Sequence, residues 1–198
     1  MDQREKQQVG EQVEPGGRPK APGRLALLQR FINTWNHELP ADSDRLGTPH
    51  RVRTWLRQKQ LITAKTKVSA TDAARLREVR EVLRSLVLAN VTGRQDAASI
   101  ELLRTALLPA TLVVTIDDDG HTRLQPQRAD VDGAIATLVG VLHEAQLTDN
   151  WQRLKGCRQC GYAFYDLSKN RSATWCSMSI CGNRSKNRAY YHRQHQLG

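Results

Sequence analysis

Acid is almost missing from the end of this sequence: after residue 150 the only Asp or Glu is Asp166. Against it stand Arg153, Lys155, Arg158, Lys169, Arg171, Arg184, Lys186, Arg188 and Arg193, so residues 151–198 carry a net +8 of the chain's +10. Residues 24–150 are close to neutral, with 17 bases against 15 acids. Basicity gathered on one segment points to an anionic partner. No run reaches the eighteen apolar residues that would suggest a membrane span. The opening MDQREKQQVGEQVEPGG has no apolar stretch of the secretory kind. A cytoplasmic protein without membrane contact is therefore expected. GxGxxG, Walker and HExxH patterns are missing, and His37-Glu38 and His143-Glu144 do not extend to a metalloprotease motif. No enzymatic activity is expected.

Cysteine is also scarce, and its placement is informative. All four cysteines lie between Cys157 and Cys181, as C-x2-C, a spacer, then C-x4-C. Two thiolates two residues apart can curl onto one tetrahedral ion, and a second pair completes the shell. Gly161, directly after Cys160, supplies the left-handed residue such a knuckle needs. Cys157, Cys160, Cys176 and Cys181 are thus predicted to hold one structural Zn2+. A shell of four cysteines has no open position, so the ion itself would not be catalytic. In a reducing cytosol the thiols would stay unoxidised.

Cys181-Gly182-Asn183-Arg184 resembles the signature of the CGNR zinc-finger family of bacteria. Arg153-Leu154-Lys155, Tyr165-Asp166 and Trp175-Cys176-Ser177-Met178 resemble it too. The resemblance extends over most of the chain from about Leu25. It implies a helical α/β domain of the ABATE kind ahead of the finger, and a role as a stress-induced transcription regulator.

Residues 1–23 are polar, with prolines at 15, 19 and 22 and Gly16-Gly17, and read as a disordered tail. Residues 24–150 read as the ABATE-like domain and 151–198 as the finger. Helical periodicity predicts helices over 24–37, 49–59, 72–91, 96–108 and 130–147. Thr48-Pro49 and Asp96 mark starts, Thr71 is read as the cap of the longest helix, and Gly93 marks its end. Residues 111–125 switch to a hairpin period with Asp119-Gly120 in the turn. Asn33-Thr34 resembles a short ABATE motif, open between a ligand contact and a polar tie to a neighbouring backbone. In the finger, a strand at 162–165, a return strand near Thr174 and a helix over 180–194 are expected. The fold class is α+β: a mainly helical domain with one hairpin, then a treble-clef-like finger.

The last helix sets Lys186, Asn187, Arg188 and Arg193 on basic rows interleaved with tyrosines, a pattern suited to phosphate and base contact. Lys169 and Arg171 on the preceding loop could reach phosphates. Arg184 sits beside a ligand and could serve DNA or the site's own structure. The reading is a bacterial DNA-binding transcription regulator with duplex DNA as partner. A zinc-stabilised protein-interaction module and an RNA-binding protein fit the same charges. The helical domain is expected to sense a small-molecule effector or to form a homodimer.

Overall fold

Thr48 begins the second helix as its sequence suggests: its hydroxyl accepts from Arg51 N at 3.2 Å, with Pro49 in the first turn. The computed structural model describes residues 13–14 and 17–196, without the side chains of 13, 14, 189, 192, 193, 195 and 196. The helices are α1 (Leu25–Ile32), α2 (Pro49–Gln58), α3 (Ala70–Thr92), α4 (Ala97–Leu107), α5 (Val131–Gln146), α6 (Asn150–Arg153) and α7 (Asn183–Gln196). The strands form three antiparallel pairs. They are β1 (Val13–Glu14) with β2 (Arg18–Pro19), β3 (Leu112–Ile116) with β4 (Thr122–Pro126), and β5 (Leu154–Gly156) with β6 (Ala163–Tyr165). The class is the expected α+β, dominated by helix. Among the described residues no helix is long and apolar enough to cross a membrane.

Helix α3 organises the core. Its cap is Ser69, not Thr71, because Ser69 and Asp72 form a reciprocal capping box two residues earlier. Gly93 ends it in the left-handed conformation, as expected. Leu76, Val79, Leu83 and Val87 are fully buried against Leu28, Phe31, Trp55, Ile135 and Leu138. Burying each such side chain contributes about 1.5–3 kcal/mol. The β3–β4 hairpin turns at Gly120 (φ +81°), and Asp117 accepts from the backbone N–H groups of Asp119 and His121. It lies on α5, whose Gly133 admits no side chain: a Cβ there would stand 1.7 Å from the Arg128 carbonyl.

Three departures matter for the site. Helix α1 stops at Ile32, so Asn33 and Thr34 leave the helix, and Thr34 Oγ1 donates to the Phe31 carbonyl at 2.8 Å. β6 pairs with β5, and around Thr174 the backbone bond is a single one, from Arg158 N at 3.2 Å. The expected return strand is absent among the described residues because that segment is held by side chains instead. Finally, residues 18–21, placed with the tail by composition, carry contacts of their own. Ala21 is buried, and its N–H donates to Gln29 Oε1 at 2.8 Å. Residues 1–12, 15 and 16 of the expected tail lie outside the described residues.

The β5–β6 hairpin does not stand apart from the helices. Leu154, Ala163 and Tyr165 belong to the same core as α3 and α5. At Gly156 the strand approaches so closely that a Cβ would lie 2.9 Å from Leu88 N. Helix α3 thus forms the wall on which the knuckle is mounted.

Candidate metal centre

Strands β5 and β6 enclose the first cysteine pair. Cys157 N donates to the Tyr162 carbonyl and Gly161 N to the Cys157 carbonyl, both at 2.9 Å. Gly161 turns the chain at φ +71°, where a side chain would be strained and would crowd Arg84. The second pair brackets the start of a wide helical turn, Met178–Gly182: Cys176 stands just ahead of its cap, Ser177, whose hydroxyl accepts from Ile180 N. Cys181 lies in that turn, and α7 continues directly from it. Cys157, Cys160 and Cys181 are buried and Cys176 half-buried, around a small core of Phe164 and Trp175.

The four sulfurs all lie within 4.8 Å of one another. Cys160–Cys176 and Cys176–Cys181 are 3.6 Å apart and Cys181–Cys160 is 3.8 Å. A metal–sulfur bond of about 2.3 Å in a tetrahedron requires sulfur–sulfur edges of about 3.8 Å. The donor set and its spacing therefore fit a four-thiolate metal site. Hydrogen bonding from Cys160 and Cys176 draws the Cys157 thiol far below its usual range. The same contact with Cys157 pushes Cys160 up to about 12. Packed this tightly, four thiolates need a central cation.

The groups around the cluster come from across the chain. Arg84 of α3 donates to the Gly161 carbonyl at 2.7 Å, to those of Ile32 and Trp35, and to Glu81. Arg18 donates to the Cys176 and Trp175 carbonyls at 3.0 and 2.9 Å, and its guanidinium lies over the Phe164 ring. Asn33 pairs with Ala163 as a strand would: its Nδ2 donates to the Ala163 carbonyl and its Oδ1 accepts the Ala163 N–H, both at 2.8 Å. Of the two readings of Asn33-Thr34, the polar tie is the one realised.

Lys155 and Asp166, two residues of the signature, form a buried ion pair at 2.9 Å, with side chains 5% and 0% exposed. Burial alone would raise the Asp166 carboxyl, but Lys155, Ser168 and the Ala173 N–H hold it down to about 2. Lys155 also donates to the Arg171 and Ala173 carbonyls, and Arg153 to those of Asp166 and Ser168. These bonds fold the 166–173 loop over the hairpin without a strand.

The basic candidates separate by environment. Arg171 has a left-handed backbone (φ +49°), and its guanidinium pairs with Asp149 at 2.7 Å. Arg184 pairs with Glu38 at 2.8 Å, joining the start of α7 to the loop after α1. Lys169, Lys186, Asn187 and Arg188 are exposed. The Arg193 side chain lies outside the described residues. Sequence reasoning missed Arg18 and Arg84. Arg18 left no signal in a tail read by composition. Arg84 did: with Arg80 it interrupts the buried stripe of Leu76, Leu83 and Val87, where an unpaired charge would be costly.

The family model for the CGNR zinc finger matches residues 153–194. The ABATE model, described as "Putative stress-induced transcription regulator", matches residues 23–148, more than half of the chain. The protein belongs to the ABATE family and carries a CGNR zinc finger behind that domain. A search of curated proteins finds no match.

Proposed function

We propose that this protein is a DNA-binding transcription regulator in which a zinc ion on Cys157, Cys160, Cys176 and Cys181 fixes the direction of α7. The ion is structural: a closed shell of four cysteines leaves no position for substrate, and no enzymatic role belongs to this reading. Four unpaired thiols suit a reducing cytosol. One observation carries the DNA reading. Lys186, Asn187 and Arg188 stand exposed on the helix that leaves the metal turn, and their side chains make no hydrogen bond or ion pair to another described residue. No acid follows Asp166 to oppose them. Tyr190 and Tyr191, both exposed, continue the surface. Phosphate contacts from such a helix position it on a duplex, and base edges are then read by the same face.

Selection of bound sequences from a random duplex pool, with and without a zinc chelator, tests the proposal. Enrichment of one motif that disappears with the chelator supports it. A pool that stays random, with RNA or an acidic protein retained instead, overturns it.

A further inference from the structure

The near-neutrality of residues 24–150 hides a segregation. From Arg45 to Thr71 there are seven Lys and Arg and no acid. In the fold this stretch is α2 and the connection to α3. Two of its bases are internal ties. Arg51 donates to the Asp42 and Asp44 carbonyls, and Arg53 to those of Ala64 and Thr66. These bonds draw the flanking loops onto α2 and leave other cations facing outward. Arg45, Arg57, Lys65 and Lys67 are all exposed, with no hydrogen bond or ion pair from their side chains to another described residue.

The contrast with the rest of the helical domain decides what this means. Elsewhere most of its bases meet acids, as Arg24 does Glu144, Arg75 Asp132, Arg80 Asp44 and Arg128 Asp130; Arg77 instead donates to the Leu46 carbonyl, and Arg94 stands exposed without an acid. A face of like charges left unopposed raises the local potential and draws in a polyanion. The surface is also shaped. Two open clefts of about 420 and 400 Å³ run along α2 and share His50, Thr54 and Gln58. One loop braces both basic helices: Glu38 on it pairs with Arg184 of α7, while Asp42 and Asp44 receive Arg51 of α2.

We infer that α2 and residues 59–67 form a second phosphate-binding surface that engages the same duplex DNA as α7. It rests on the DNA-binding reading above and widens it: the finger helix contacts one part of the backbone and α2 another. A small finger whose Arg153, Lys155, Arg171 and Arg184 are tied within the chain thereby gains phosphate contacts without a second protomer.

The test uses full-length, metal-loaded protein and a labelled duplex of random sequence, with affinity followed across a salt series. Arg57→Ala with Lys65→Ala removes two exposed, unpaired cations; an unchanged melting temperature shows that the fold is intact. The log–log salt slope is expected to flatten by roughly 2, and affinity at 0.1 M salt to fall by about tenfold. Lys186→Ala with Arg188→Ala is the parallel variant in α7. If the wild type binds and the α7 pair weakens it while the α2 pair changes neither affinity nor slope, the second surface is refuted and the DNA reading stands. If the wild type binds no duplex, both are refuted.

Discussion

The Arg84 guanidinium donates to the Gly161 carbonyl at 2.7 Å, so the longest helix of the ABATE domain grips the knuckle of the metal site directly. The same group satisfies the carbonyls of Ile32 and Trp35 where α1 ends. Arg84→Ala strands those acceptors and the Glu81 carboxylate. It should cost about 3–5 kcal/mol in chemical denaturation and weaken metal retention in a chelator competition. An unchanged chelator midpoint would separate the knuckle from the helix.

Gly156 sets the distance between β5 and α3, since an added Cβ would meet Leu88 N at 2.9 Å. Gly156→Ala should therefore destabilise by about 1–3 kcal/mol through overpacking. Thermal melting of the metal-loaded protein measures it, and a neutral substitution would contradict the close approach.

Asp166 provides a pH signature. Its carboxyl is held down to about 2 in the fold, against an ordinary value of about 3.9. A depressed value means the ionised form stabilises the fold above the ordinary value. That contribution is lost as pH falls through the window from about 4 to 2. The stability gap between wild type and Asp166→Asn should be widest above pH 4 and should close across that window. A gap that is constant with pH would show that the Lys155 pair contributes nothing.

Metal analysis should find about one equivalent of zinc per chain, and Cys176→Ser should lose it. The consequences of loss are graded by the packing. Leu154, Ala163 and Tyr165 share the helical core, whereas the turn around Cys181 is held by the small cluster of Cys157, Cys160 and Phe164. After chelation, hydrogen exchange should accelerate through residues 174–196 while β5 and β6 stay protected. Equal loss across both would mean that the hairpin depends on metal as well.

What the sequence made legible was whatever repeats locally. The cysteine spacing, the caps at Thr48 and Asp96 and the hairpin turn at Gly120 are short-range signals, and each falls where expected. The misplaced cap of α3 was a competition between neighbours, which Ser69 wins because Asp72 answers it. The union of finger and helical domain was not legible. It is made by side chains meeting distant carbonyls, as with Asn33 on Ala163 and Arg84 on Gly161, and such pairs leave no period. Asn90 of α3 likewise donates to the Trp151 and Leu154 carbonyls.

Binding of a labelled duplex across a salt series, with the metal-loaded protein and again after chelation, tests the central claim that the metal fixes α7 for DNA. Affinity should fall steeply with salt, by roughly 0.9 in log K per phosphate contact for each decade, and should collapse once the metal is removed. Absent or salt-insensitive binding, or binding that survives chelation, would contradict it.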